Sequence, residues 1–414
     1  MNAINEITDP YTMDLEDIDP SDPGLLEHDA WRPVFARLRD EAPVHYCKDS
    51  IFGPYWSVTR WDDIVAVDSN FKDFSNEPAI VIGDPPEEQF LKQFIAMDPP
   101  KHDVQRRAAQ PVVAPKNLAQ LESLIRSRVV DILDNLPVGE AFNWVDHVSI
   151  NLTTQMLATL FDFPFEDRTK LTYWSDMATA TKEIAGADGD PEERFAALNE
   201  CLEYFMRLWH ERKGDGVESV DLIRLLQRDP NTENMIDDPM EFLGNIILLI
   251  VGGNDTTRNS ATGGVLALNQ NPAEYDKLRA DPSLIPSMVS EIIRWQTPLA
   301  HMRRTATRDL EFGGQQIREG EKVVMWYLSG NNDERAIERP DEFLIDRANP
   351  RKHISFGFGV HRCMGNRLAE MQLRILWEEI MARFKNVEVV GPETRIRSCF
   401  VRGYSHLPVV VHPH

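Results

Sequence analysis

The sequence predicts a mainly α-helical chain with a smaller β-rich part, and three observations predict it. Helical periodicity dominates from about residue 116 to 270, with short breakers at Pro137, Pro164, 186–191 and 214–216. Inside that region Asp238 suits an N-cap and Pro239 a first helical position, and the next proline is Pro272. One helix of about 30 residues, about 45 Å long, is therefore allowed. Strand-like segments collect toward the ends: 44–47 and 55–59 about a Gly53-Pro54 turn, 310–317 and 322–327 about Gly313-Gly314, and 396–411 in the tail.

Taken in order, residues 1–30 are polar and punctuated by proline, which predicts an extended surface arm. Trp31 to Ala42 reads as a short amphipathic helix, the 44–59 segment as a hairpin, and Trp61 to Val67 as helix again. From Ala79 to Met97 the pattern is irregular, with Phe90, Phe94 and Ile95 as either core edge or the wall of a ligand cavity. Asn366 to Phe384 is amphipathic, with Leu368, Met371, Ile375, Leu376 and Ile380 near helical spacing. No repeat, low-complexity tract or linker divides the chain, so residues 1–414 read as one domain.

Composition narrows the function. The balance of 44 basic against 67 acidic residues, net charge −23, argues against a nucleic-acid partner. Cys47, Cys201, Cys363 and Cys399 are widely spread without a C-x-x-C pair, which suits a reducing compartment. Met1 to Pro20 is acidic and has no apolar core of a secretory signal. The longest apolar stretch, Phe242 to Val251, is interrupted by Gly244 and Asn245 and is too short to span a bilayer. A cytoplasmic protein without a membrane span is expected.

The stretch Phe356-Gly-Phe-Gly-Val-His-Arg-Cys-Met-Gly365 sets Cys363 where a Gly-rich loop meets a helix N-terminus. Free backbone N–H groups and the helix dipole favour negative charge there, so a depressed thiol pKa is expected. With no Cys or His partner at zinc spacing, Cys363 makes a poor zinc site and a good single axial ligand for a haem iron. The competing readings are an ordinary buried cysteine and a thiol nucleophile with His361 as base. The second leaves the remote motifs unexplained.

Those motifs are three. Gly252-Gly-Asn-Asp-Thr-Thr257 interrupts the long helix with residues that weaken it, since Gly costs about 1 kcal/mol against Ala. Either a kink for close packing or a passage for a flat cofactor and dioxygen, with an acid–alcohol pair to relay protons, would account for it. Glu291 and Arg294 stand at i and i+3, an ordinary helix ion pair when taken alone. His102 and Arg106 stand at i and i+4 after Pro99 and Pro100, most simply a solvated helix face.

Together these segments resemble the cytochrome P-450 superfamily of haem-thiolate monooxygenases. Phe356 to Gly365 matches the spacing Phe-x-x-Gly-x-x-x-Cys-x-Gly of its ligand loop, and 252–257 resembles its oxygen-activation segment. The resemblance implies a triangular, mostly helical fold with haem b between the long helix and the cysteine helix. It implies Cys363 as axial iron ligand, Asp255 and Thr256 as the acid and alcohol, and Phe356, Gly357 and Gly252 against the haem. His102, Arg106, Arg304 and His361 become propionate contacts, with Arg303 competing with Arg304. Arg362 would face the surface where an electron carrier docks. Glu291 and Arg294 become a structural pair whose usual third partner is replaced by Glu342 in Pro340-Asp-Glu-Phe343, leaving Arg339, Arg347 or no partner.

Four stretches, 94–106, 248–259, 291–300 and 400–405, are similar to the soluble bacterial alkane terminal hydroxylases of this class. That resemblance implies ω-hydroxylation of medium-chain n-alkanes, with fatty acids a further class. Electrons would come from NADH through a ferredoxin reductase and a [2Fe–2S] ferredoxin. End selectivity requires a narrow apolar approach, and its candidate walls are Ile82, Phe94, Met97, Leu249, Leu299, Ala300, Phe400 and Val401; no charged anchor for a carboxylate is visible. The rivals are a terpenoid or steroid hydroxylase on the same core and a non-catalytic haem-binding sensor. Thr256→Ala should uncouple oxygen use from product in an enzyme and leave a sensor largely unaffected.

Overall fold

A computed structural model describes residues 9–84, 91–181, 184 and 190–414. Phe90, residues 1–8 of the N-terminal arm and most of the 186–191 breaker lie outside the described residues.

The long helix forms as its sequence predicts, over Pro239–Gln270, with the Asp238 carboxylate accepting the Met240 and Glu241 N–H groups at 3.1 and 3.2 Å. From Phe242 onward it is buried almost throughout, because other helices pack around it. They include Asn151–Leu160, Thr169–Thr179, Pro191–Arg212, Ile285–Gln296 and Asn366–Arg383. The main apolar core sits among them.

Among the described residues the largest sheet has five strands, in the order Val44–Cys47, Tyr55–Val58, Lys322–Met325, Met302–Ala306 and Phe74–Ser75. The first two form the expected antiparallel hairpin, with Val44 opposite Val58. Lys322–Met325 joins this sheet, running parallel to Tyr55–Val58 and antiparallel to Met302–Ala306. The Gly313-Gly314 turn instead closes a separate hairpin of Leu310–Phe312 with Gln315–Ile317, both glycines taking positive φ, +57° and +77°. At the tail, Pro408–Pro413 pairs with Phe384–Val389 and Phe142–Asn143.

The N-terminal arm departs from expectation. It folds into short helical turns at Pro10–Thr12, Leu15–Asp17 and Pro23–Glu27, and Ile18, Leu25 and Leu26 are buried against Trp31, Phe35 and Trp326. Asp9 and Asp22 cap prolines at the first helical positions, so the prolines start turns here and do not keep the chain extended. Among the described residues, no helix is long and apolar enough to cross a membrane.

Candidate functional site: a cavity between the central helix and the cysteine loop

Cys363 lies three residues before the helix Asn366–Arg383 and is held by its own N–H, which donates to the Phe356 carbonyl at 2.7 Å. The loop requires two glycines. Gly357 and Gly359 have φ of +67° and +65°, and a Cβ on Gly359 would lie 2.7 Å from the Asp68 carbonyl oxygen. Gly365 has an ordinary φ of −89° and is not required for conformation. The thiol does not behave as the sequence predicts. Desolvation pushes it up, and this outweighs the Gly365 N–H, Arg106, Arg362 and the Asn366 N–H, which pull it down. The helix-terminus donors are present but do not suffice, and coordination to a metal is what deprotonates such a thiol outright.

Cys363 opens into a cavity of about 230 Å³, lined on the opposite side by Leu248, Leu249, Gly252, Gly253 and Thr256 of the central helix. Phe94, Arg106, Leu299, Arg304, Phe356, Gly357 and His361 complete much of its wall. The helix breaker faces this space, and a Cβ on Gly252 or Gly365 would meet no described atom within 4 Å. Gly253 serves packing instead, since a Cβ there would lie 2.7 Å from Leu157 Cδ2.

Arg106, Arg304 and His361 line one edge of the cavity, with His102 buried directly behind His361. The His102 and His361 rings lie 4.0 Å apart, and His102 Nε2 and both His361 nitrogens have no hydrogen-bond partner among the described residues. Burial first, then His102, Arg304 and Arg106, push His361 down to about 2, and burial likewise lowers His102. Both rings are thus neutral near pH 7; His361 keeps its N–H free of protein partners among the described residues, whereas His102 donates its own from Nδ1 to Asp103 at 2.8 Å, which leaves Nε2 as an acceptor. Arg106 donates to the Arg362 carbonyl, and Arg362 itself is exposed. Arg304 is buried and bonds Asp68 and the Arg303 carbonyl. Arg303 is excluded from this edge: it turns to Asp84 and the Gly83 carbonyl, outside the cavity wall. Two buried imidazoles, the buried Arg304 and the half-buried Arg106 beside a cavity with a thiol on its floor fit a haem, which would be held by Cys363 at its iron and by His102, Arg106, Arg304 and His361 at its acidic edge.

Asp68 is a residue that sequence reasoning missed. Its carboxylate accepts from Arg304, from Tyr327 Oη at 2.8 Å and from the Phe358 N–H at 2.7 Å, tying the ligand loop to the donor edge. An acid near the end of a short helix carries no sequence signal for such a role.

Thr256 lines the cavity, its Oγ1 donating to the Gly252 carbonyl at 3.1 Å. Asp255 does not. It is buried behind the helix, accepting from Arg258 at 2.9 Å, Asn254 at 3.1 Å and Ser175 at 3.3 Å, and Arg258 also pairs with half-exposed Asp176 at 3.0 Å. Burial pushes the Asp255 carboxyl up to about 6, with Arg258 opposing and Asp176 adding to the rise. Arg258 was also missed, although its i+3 spacing from Asp255 was readable.

Glu291 and Arg294 form a fully buried pair at 2.7 Å, and the third partner is Arg347, whose Nε meets Glu291 Oε2 at 2.8 Å. Arg339 stays outside, on Glu342 at the surface. The Glu342 side chain takes no part, but its carbonyl accepts from both Arg294 and Arg347.

A second chamber of about 180 Å³ adjoins the first, sharing Ile80, Ile95, Leu248, Gly252, Thr256, Leu299 and Met302. Of the expected walls, Phe94 and Leu249 line the inner chamber, Phe400 the outer and Leu299 both. Ile82, Met97, Ala300 and Val401 line neither. Ile82 and Ala300 are fully buried beside Trp326, Val401 is buried, and Met97 is half-buried. Leu299 and Ala300, and likewise Phe400 and Val401, are chain neighbours in extended segments, where successive side chains alternate in direction. A charged residue absent from the expected walls, Arg194, also lines the outer chamber.

Comparison with known proteins agrees with this geometry. The family model Cytochrome P450 matches residues 64–400. The chain is 33% identical over 416 residues to a linalool 8-monooxygenase of Pseudomonas putida, covering 96% of this chain and 100% of that one. It is 32% identical over 388 residues to a steroid C26-monooxygenase of Mycolicibacterium smegmatis, covering 90% and 89%. Among solved structures, cytochrome P450-153 from Novosphingobium aromaticivorans is 46% identical with a TM-score of 0.89, covering 95% of this chain and 99% of that one. CYP153D17 from Sphingomonas sp. PAMC 26605 is also 46% identical, with a TM-score of 0.90 and coverage of 95% and 98%. A cysteine floor, a donor-rich edge and a central helix with Gly252 facing the cavity thus coincide with likeness along nearly the whole chain, which belongs to the cytochrome P450 family, monooxygenases that use haem, dioxygen and supplied electrons.

Proposed function

We propose that this monooxygenase hydroxylates the terminal carbon of medium-chain n-alkanes. The observation that carries the reading is the pair of adjoining chambers, which meet at Thr256 and are walled by Ile80, Ile95, Leu248, Leu299 and Met302. An extended apolar chain laid through the outer chamber brings only its end to the inner one. Since a terminal C–H bond is harder to break than an internal one, selectivity for it has to come from such positioning. Likeness to the P450-153 structures supports the same class of protein.

Haem bound at Cys363 supplies the activation of dioxygen and the insertion of one oxygen atom into a C–H bond. The chain's own residues do the rest. His102, Arg106, Arg304 and His361 hold the acidic edge of the cofactor, while Phe356, Gly357 and Gly252 bound it. Asp255, near neutrality part protonated, and Thr256, open to the cavity, carry protons inward from the Arg258–Asp176 side. Arg362, exposed beside the ligand cysteine, belongs to the face where a [2Fe–2S] ferredoxin docks to deliver NADH-derived electrons in the cytoplasm.

A second reading takes fatty acids as substrates; Arg194 lines the outer chamber but already has an interaction partner, for which a carboxylate head would have to compete. Terpenoids and steroids are the rival class. The test is turnover of purified holoprotein with a ferredoxin, its reductase and NADH on a ladder of n-alkanes, fatty acids, linalool and a sterol, with products mapped by carbon position. Primary alcohols from medium-chain alkanes are expected. Internal alcohols alone, or far faster turnover of linalool or the sterol, would overturn the proposal.

A further inference from the structure

We infer that Asn245 sets how far Phe94 reaches into the cavity, and through Phe94 which carbon of a bound chain is presented; the inference rests on the terminal-hydroxylation reading above. Its starting point is an oddity of the central helix. The apolar run Phe242 to Val251 is broken by Gly244 and Asn245, both buried, and neither lines a chamber.

The segment 92–94 accounts for both residues. A Cβ on Gly244 would lie 2.2 Å from the Lys92 carbonyl oxygen and 2.9 Å from its carbonyl carbon, so the crossing backbone leaves room for glycine alone. One residue on, Asn245 Oδ1 accepts the Phe94 N–H at 3.0 Å. The other end of the amide donates to the Glu241 carbonyl at 3.0 Å and to Gln105 Oε1 at 3.2 Å, which fixes which end faces Phe94. Gln105 donates in turn to Glu241, and Lys92 pairs with Asp238 at the helix start.

Phe94 is therefore seated by backbone contact on one side of the helix while it lines the inner chamber, as Leu248 and Leu249 do. The helix that carries the reacting face of the cavity also carries the clamp. Ring and face are thus registered against each other through a single rigid element. Asn245 touches neither cofactor nor cavity, so it is a positioning residue, and its effect passes through Phe94.

The experiment uses the holoenzyme with ferredoxin, reductase and n-decane, and in parallel titrates 4-phenylimidazole against the haem absorption spectrum. Asn245→Leu, Phe94→Ala and the double variant are compared with wild type. Asn245→Leu should lower the ratio of primary to internal alcohols at least 5-fold and change the azole Kd by a similar factor. In the Phe94→Ala background it should change neither further. Asn245→Ala, which removes the acceptor of the Phe94 N–H without adding bulk, should move both readouts the same way and carries the test if Asn245→Leu does not fold. Unchanged ratio and Kd in the folded clamp variants, or an equal change with and without Phe94, would overturn the inference. Wild-type protein that makes no terminal alcohol would sink the substrate reading, while the azole titration still decides whether Asn245 acts through Phe94.

Discussion

His102 and His361 face one another with ring centroids 4.0 Å apart and planes tilted by 48°, although 259 positions separate them in the chain. Both are neutral and have nitrogens free of protein partners among the described residues, so together with Arg106 and Arg304 they form a site for the acidic edge of a haem. His361→Phe keeps a ring against His102 and removes the donor. A hydrogen bond to a charged group contributes about 1.5–3 kcal/mol, so haem retention, measured by transfer to apomyoglobin, should fall by about 10-fold or more. Retention equal to wild type would remove His361 from the site.

Asp68 joins that edge to the cysteine loop. Asp68→Asn leaves the buried Arg304 without its carboxylate, and loss of a buried ionic partner costs about 3–5 kcal/mol. Tyr327→Phe removes only one neutral donor to the same group and should cost about 1 kcal/mol. Urea unfolding of the two holoproteins measures the difference, and equal losses would mean that the charge on Asp68 is not what matters.

The buried Glu291 carboxylate sits between two arginines, which makes its partners separable. Arg294→Leu should destabilise by about 3–5 kcal/mol and Arg347→Leu by less, because Glu291 then keeps Arg294. Arg339→Leu should change stability by less than about 1 kcal/mol, since its pairing with Glu342 is exposed. Thermal unfolding of the three variants ranks them.

Asp255 predicts a pH dependence. Its carboxyl is raised from the ordinary 3.8 to about 6, so the folded protein binds that proton more tightly than the unfolded chain does. The resulting stability is complete below the unfolded value and is lost as pH rises through about 6. Asp255→Asn cannot ionise, so wild type should lose stability relative to the variant between about pH 4 and 6 and run parallel to it above pH 7. Product formation should fall on the order of 10²-fold in the variant. Parallel stability curves across the whole range would show that Asp255 ionises normally.

What was legible in the sequence was what local pattern controls. The Asp238-Pro239 start of the central helix, the 44–58 hairpin and the cysteine loop all follow from caps, turns and periodicity. The weak helix segment at 252–257 allowed two readings, close packing or a passage for a cofactor, and each holds for one glycine: Gly253 packs on Leu157 and Gly252 faces the cavity. Contacts between distant segments were not legible. Asp68 and Arg347 draw their meaning from partners 236 and 56 positions away. The walls failed in half their members for a related reason. Leu299 and Phe400 reach the cavity while their chain neighbours Ala300 and Val401 do not, and which of two alternating side chains turns inward is set by how the segment is seated in the fold. The thiol was misjudged because a helix N-terminus can be read from sequence, whereas the desolvation that outweighs it depends on the whole fold.

The account stands on iron bound by the Cys363 sulfur, and the absorption spectrum of the reduced, carbon-monoxide-treated protein tests it most directly. Wild-type protein should give the red-shifted band of thiolate ligation, and Cys363→Ser should lose that band while keeping its fold. A Cys363→Ser protein with the wild-type band, or a wild-type protein that takes up no haem, would contradict the account.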